Sequence, residues 1–307
     1  MIKVERTRCP DQLNPAMHNQ IGPTELRKVT DKMARGEKLL GDDFRAYRHP
    51  DVREALREMS FGKCVYCESK IAGSQDTDVE HYRPKKGVTE ADKAGIAHEG
   101  YWWLAMVWEN LVLSCMHCNQ MRSTLVIIPD DLETEEEFRE FLMRAPESRA
   151  GKKNAFPTQG NVWVTTPDGD LRDEKPLILN PVDDTPEDHL EWVLFKGAST
   201  VRARNNSPEG EATRSILGLN RRWLEEDRRI HLLEMREDRN DIIAAINNWI
   251  EVEDEDARRR FKATADRAIA RLMEKKKPHR PFAGMASAFV KLVQGEVAQM
   301  MQPPVEG

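Results

Sequence analysis

The sequence predicts an α+β chain that is mostly helical and stapled by four cysteines. Three observations lead there. Two Cys-x-x-Cys turns, Cys64–Cys67 and Cys115–Cys118, lie far apart in a chain of 307 residues. Between and after them sit short extended apolar runs, too brief for helices. From Glu211 onward apolar residues recur at helical spacing on a strongly charged background.

Taken in order, residues 1–50 are polar and read as a helical arm. Pro23-Thr24-Glu25-Leu26 has the composition of a helix start, and Asp42 to Tyr47 reads as a second short element. Val52, Ala55, Leu56 and Met59 fall at helical spacing, and Gly62 follows as a stop signal. The first cysteine pair comes next. A polar turn at residues 74–78 leads into Val79-Glu80-His81-Tyr82-Arg83-Pro84, extended in character because Pro84 disfavours helix at Arg83. Tyr101 to Trp108 is apolar and aromatic and reads as a buried helix leading into Asn110-Leu111-Val112-Leu113-Ser114. The second pair follows at once.

Residues 130–155 turn from acidic to basic, with a helix expected around residues 135–143 and then a loop. Residues 161–166 read as a strand closed by the Pro167-Asp168-Gly169 turn. Leu177-Ile178-Leu179 is a short apolar run stopped by Pro181, and residues 189–195 alternate as a strand does. Beyond Glu211, Trp223, Ile230, Leu233, Ile242, Ile243, Ile246, Trp249 and Ile250 mark a stripe expected to pack helix on helix. A last apolar helix spans residues 285–301, and a loose tail follows. The divisions expected are 1–50, 51–128, 129–210 and 211–307.

Hydrophobic residues make up 39% and charged residues 33%, which permits a core surrounded by solvated helices. The net charge of −6 and pI near 5.9 argue against a chain that grips nucleic acid over its whole surface. A local basic patch or a partner subunit reconciles the two. No apolar leader opens the sequence and no stretch has the length of a membrane span, so a cytoplasmic protein without membrane contact is expected. Thiols stay reduced there, which favours metal over disulfides. Cys9, outside the pairs, reads as an ordinary free thiol.

Each Cys-x-x-Cys turn brings two sulfurs near one point, and two such turns complete the tetrahedron that zinc prefers. Cys64, Cys67, Cys115 and Cys118 are therefore the expected ligands of a structural zinc. His117, inside the second turn, is the one other candidate, but four thiolates already fill the shell. The long insertion between the turns holds Glu80 and His81. A histidine can take a proton from water, and a divalent cation on oxygen ligands can neutralise phosphate. Glu80 and the amide of Asn119 supply such oxygens, and a sparse oxygen set that leaves waters on the ion suits magnesium. On a regular strand Glu80 and His81 point to opposite faces, so both reach one centre only at an irregular strand or a groove edge.

In this order, Cys64-x-x-Cys67, Glu80-His81, Asn110-Leu111, Cys115-x-x-Cys118-Asn119 and Arg122, the chain resembles the HNH (ββα-metal) nucleases. The resemblance implies a ββα-metal core with helical extensions. It implies His81 as general base, Asn110 as the brace of the loop carrying it, and Glu80 and Asn119 as ligands of a catalytic cation. Gly62 to Ile71, Val79 to Lys85, Leu179-Asn180-Pro181 and Leu217-Gly218-Leu219-Asn220 are similar to the HNH component, PtuB, of Septu and retron-associated antiviral systems. That family acts with an ABC/SMC-type ATPase, PtuA. The nuclease core covers about a quarter of the chain, and the weaker phrases extend to about residue 220. Glu80 stands where Asp is more usual, which lengthens the ligand arm. Asn119 stands where many members carry His.

Arg83, Lys85 and Arg122 flank the centre and are candidate contacts to a nucleic-acid backbone, DNA before RNA. Arg122, one turn beyond Asn119 on a continuing helix, would share its face. Lys85 and its neighbour Lys86 read equally well as a solvated surface. Lys275-Lys276-Lys277 reads as a charged helix end. Two other functions remain open on sequence alone: a non-catalytic zinc module that binds nucleic acid or protein, and a stand-alone restriction-type enzyme.

Overall fold

A computed structural model of the chain describes residues 1–71, 78–126, 136, 137, 140, 143, 147–194 and 199–302. Of the polar turn expected at 74–78 only Asp78 is described. The helix expected around residues 135–143 lies largely outside the described residues, as do Phe195 and the tail from residue 303.

The architecture is α+β and mostly helical, with three separate two-stranded antiparallel sheets among the described residues. Helix α1 spans Ile21–Ala34, starting two residues before the Pro23 signal. Two 3-10 turns, Gly41–Asp43 and Ala46–Arg48, occupy the second short element. Helix α2, Pro50–Met59, begins with proline at its first position, where the missing N–H costs nothing, and buries Val52, Leu56 and Met59.

Strand β1, Asp78–His81, pairs after the short helix α3, Thr89–Lys93, with strand β2, Leu111–Ser114. The register sets Glu80 opposite Val112 and His81 opposite Leu111. Helix α4, Met116–Asn119, follows directly, so β1, β2 and α4 make a β–β–α unit. The Val65 amide bonds the Leu113 carbonyl at 3.1 Å and seats the first cysteine turn on β2.

The aromatic segment at residues 101–108 is buried as expected but is not an α-helix. It forms two 3-10 turns, Trp102–Leu104 and Trp108–Asn110. The reason lies in its carbonyls. Ala105 O meets the His81 ring at 3.0 Å, and Leu104 O accepts from the Asn110 amide at 3.2 Å. A regular helix would direct both carbonyls along its own axis.

Strands β3, Arg122–Leu125, and β4, Glu147–Ala150, pair next to α4. The strand expected at residues 161–166 does not form. Both backbone groups of Val164 are taken by side chains: its N–H by Glu174 at 2.8 Å, its carbonyl by His98 at 3.0 Å. No ladder can use them. The turn at Pro167-Asp168-Gly169 is present. Helix α5, Pro186–His189, leads into β5, Leu190–Val193, which pairs with β6, Thr200–Ala203.

Helix α6 is Pro208–Ile216. Helices α7, Arg222–Glu251, and α8, Glu255–Lys275, form a hairpin, and α9, Ala283–Met300, packs against both. Their shared core includes Leu232, Met235, Ile242, Leu272, Met285, Phe289 and Val293. The expected stripe is only partly inside. Ile242 is buried, but Trp223, Ile230, Leu233 and Ile250 face solvent, because Leu224, Leu232 and Met235, one or two positions away from the first three, supply the buried face of α7. Lys275 pairs with Glu234, and Lys277 and Arg280 with Glu274, so the basic run at 275–277 ends a helix within ion pairs.

Candidate active site

Two cysteine turns converge. The sulfurs of Cys64, Cys67, Cys115 and Cys118 all lie within 4.8 Å of one another, and the four residues are buried. Cys67 Sγ and Cys115 Sγ are 3.8 Å apart. Zinc–sulfur bonds of about 2.3 Å in a tetrahedron put sulfurs roughly 3.8 Å apart, so the donor set fits zinc. The first turn is closed by the Cys64 amide on Ser69 O at 3.0 Å, with Glu68 at φ 63°. In the second, Cys115 caps α4 and Cys118 lies within it. Four thiolates on a divalent ion leave two negative charges. The buried Arg221 guanidinium stands against them, 3.6 Å from Cys118 Sγ and 3.8 Å from Cys115 Sγ. His117 is outside the cluster.

Beside this knot lies a cleft of about 350 Å3. Glu80 and His81, on the last two positions of β1, and Asn119, at the end of α4, all line it. Both residues of β1 line the groove at the strand's end, where one last backbone bond, Tyr82 N to Asn110 O at 2.9 Å, closes the ladder.

The His81 ring is fixed from three sides. One ring nitrogen, Nε2, lies 3.0 Å from Ala105 O, a carbonyl that can only accept, so Nε2 carries the hydrogen. Nδ1 then keeps its lone pair, on which Lys85 Nζ sits at 3.2 Å. Tyr47 meets the ring edge to face, with centroids 4.6 Å apart. Burial, reinforced by the charge of Lys85, holds the imidazole well below its usual pKa. Burial also pushes Lys85 down, to about 8.

Asn110 is buried and bonds three backbone groups. Its Oδ1 accepts from Arg83 N at 2.7 Å, and its Nδ2 donates to Arg83 O at 3.0 Å and Leu104 O at 3.2 Å. It thereby ties the segment after His81 to the turn that supplies Ala105 O.

Asn119 donates Nδ2 to Asp78 Oδ2 at 3.0 Å, as Gln120 does through Nε2. Among the described residues nothing hydrogen-bonds Asn119 Oδ1, which is the atom available to a cation. Glu80 is buried, and its Oε1 lies 2.8 Å from Nζ of the fully buried Lys152. Burial raises the Glu80 pKa and Lys152 opposes the rise. One amide oxygen and one carboxylate partly neutralised by lysine form a sparse, hard donor set. It fits a cation such as magnesium, which keeps most of its waters.

Of the expected flanking cations, Lys85 reaches the cleft and so does its neighbour Lys86. Arg83 does not line it. Its Nε pairs with Glu174 at 2.8 Å while its guanidinium covers the Tyr82 and Phe156 rings. Arg122 does not line it either. Helix α4 stops at Asn119, Arg122 opens β3, and its Nη2 bonds Gln120 Oε1 at 2.8 Å. Sequence reasoning missed Arg149, Lys152, Lys153 and Asp78. Asp78 carried a signal, since it shares the strand face of Glu80. The other three carried only a Gly-containing basic stretch.

Residues 64–124 match a family profile described as HNH endonuclease. The Septu protein PtuB of Bacillus mycoides (strain KBAB4) is 33% identical over 228 residues, which cover 74% of this chain and 66% of that protein. The Septu protein PtuB of Bacillus thuringiensis is 37% identical over 76 residues, 24% of each chain. The chain thus spans just under two thirds of the first relative and about a quarter of the second. No solved structure matches.

Proposed function

This chain is a PtuB-like protein with an HNH endonuclease domain, and from that premise we propose that it is a metal-dependent endonuclease of an antiviral defence complex. One observation carries the reading: His81 donates through Nε2 to Ala105 O and so keeps its lone pair on Nδ1, held by Lys85 at 3.2 Å, beside a cleft lined by Glu80, Asn119 and cationic side chains.

His81 acts as general base, taking a proton from water at Nδ1. Lys85 occupies that nitrogen and must swing onto a phosphate oxygen before water can approach, so substrate entry and exposure of the base are one event. The phosphate's negative charge, arriving beside the ring, raises its proton affinity from the depressed value. Asn110 keeps the ring aimed by holding both backbone segments that frame it. Glu80 and Asn119 hold the catalytic cation, magnesium by the hardness of their oxygens. Such a cation supplies charge neutralisation at the phosphate and at the departing oxygen. Lys85, Lys86, Arg149 and Lys153 hold the backbone without reading bases, so the substrate is nucleic acid, DNA before RNA. The four cysteines hold a structural zinc.

The chain is similar to the Septu protein PtuB, and the partner we propose is the PtuA-like ABC/SMC-type ATPase that the family resemblance implies. We assign residues 51–128 to the nuclease core, 1–50 to an N-terminal arm, 129–210 to a mixed connecting region and 211–307 to partner docking. No described helix is long and apolar enough to cross a membrane. We place the protein in the cytoplasm, where the zinc thiolates stay reduced.

The test is cleavage of plasmid DNA and of RNA by the zinc-loaded protein, with and without the ATPase. Cleavage should require added magnesium and stop when magnesium is withdrawn while zinc is retained. Absence of cleavage under every condition, or cleavage indifferent to magnesium, would contradict the proposal.

A further inference from the structure

Lys152 has no part in the chemistry just described, and it lies outside the segment that matches the HNH profile. Its side chain is fully buried, a rare state for lysine. The chain is built to put it there. Gly151 runs so close to Gln120 that a Cβ would stand 1.9 Å from its carbonyl oxygen, at a φ of 125° that L side chains rarely adopt. Lys152 N bonds Cys118 O at 2.8 Å, and Lys153 N bonds Asn119 O at 2.6 Å with Lys153 itself at φ 47°. So anchored to the second cysteine turn, Lys152 reaches β1 and places Nζ 3.0 Å from His81 O and 2.8 Å from Glu80 Oε1.

The charge count of the cleft follows. Among the described residues Glu80 is the only acid lining it, against Lys85, Lys86, Arg149 and Lys153, and Lys152 cancels that one acid from behind. Asp78 stays outside the lining, occupied with Asn119 and Gln120. A divalent cation arriving alone meets no net negative charge. One arriving with a phosphodiester does.

Resting on the nuclease reading above, we propose that Lys152 is a positioning residue that orients and neutralises Glu80, so that the cleft holds its cation tightly only together with the phosphodiester substrate. The site is then empty of cation until nucleic acid enters, which keeps the hydrolytic centre idle without a separate lid.

The experiment measures Mn2+ binding by electron paramagnetic resonance, with the cysteine site loaded with zinc, in a His81→Ala background that stops turnover. Glu80, Asn119 and Lys152 are unchanged there, and the His81 carbonyl that Lys152 uses is backbone. A short DNA oligonucleotide should raise Mn2+ affinity by about tenfold or more, the effect of roughly one elementary charge beside the ion. An oligonucleotide with neutral methylphosphonate linkages should not. Lys152→Met should tighten Mn2+ binding in the absence of DNA and shrink the coupling. Equal Mn2+ affinity with and without DNA overturns the proposal on the parent protein alone, whether or not Lys152→Met folds. Unchanged affinity and coupling in a folded Lys152→Met overturn it as well. Cooperative binding of Mn2+ and DNA by a protein that cleaves nothing would support the role of Lys152 and sink the nuclease reading instead.

Discussion

His81 is held by its neighbours more than by its own strand. The groups that aim it come from three stretches: Ala105 O from the aromatic turns, Tyr47 from the N-terminal arm and Lys85 from the segment after Pro84. Asn110 is the joint between two of them. Replacing it with alanine removes three hydrogen bonds at once and leaves the half-buried N–H and carbonyl of Arg83 without that partner, while Leu104 O keeps the Val107 amide at 3.2 Å. At 1–3 kcal/mol for each unmatched buried group, Asn110→Ala should destabilise the protein by about 3 kcal/mol. Chemical denaturation checks this. A loss below about 1 kcal/mol would mean that water replaces the amide and that the brace is unimportant. The structural effect should come with a fall in cleavage, because the ring loses its fixed direction.

Among the elements, the two cysteine turns do the work that a larger local core would do elsewhere. Strands β1 and β2 are four residues each and α4 is four residues, too short to be stable unaided. A zinc ion on the four cysteines would join the turn before β1 to the turn after β2. Stripping it should therefore lower the unfolding free energy by at least about 4 kcal/mol, part of the roughly 10–16 kcal/mol that zinc contributes to small zinc-binding peptides. Hydrogen exchange should show protection lost first in β1, β2, α4 and the start of α7, where Arg221 leans on the sulfurs. Unchanged melting after zinc loss, verified by elemental analysis, would refute a structural role. This element was legible in sequence because cysteine spacing is a local pattern with one dominant chemical use. The helix expected from the aromatic run at residues 101–108 was not. Apolar content told that the segment is buried, but the demand for its carbonyls comes from His81 and Asn110, which no local window contains.

Among the described residues a continuous hydrophobic cluster runs from Leu13 in the arm through Tyr66, Trp108 and Leu179 to Phe289 and Val293 in the last helix. The C-terminal helices are fastened to the first cysteine turn as well as packed on the core. Lys63 Nζ bonds Arg280 O at 2.9 Å, and Gly284 N bonds the buried Glu68 carboxylate at 3.0 Å. Helix α7 nevertheless leaves Trp223, Ile230 and Leu233 exposed. Sequence periodicity found that helix but assigned these residues to the interior, since two apolar faces on one helix look alike in a stripe count. The cleft shows the same limit. His81, Glu80 and Asn119 were named from motif order and line one groove. Arg149, Lys152 and Lys153 were passed over because β3–β4 pairing and the close approach at Gly151 bring them in from more than two dozen residues beyond Asn119. In the proposed mechanism this frame aims one imidazole at a hydrolysable phosphodiester. Its most direct measurement is the single-turnover cleavage rate of His81→Ala against the parent protein, with magnesium, at matched zinc content and melting temperature. A loss of at least about a hundredfold is expected, the usual worth of a general base; equal rates would mean that His81 is not the base.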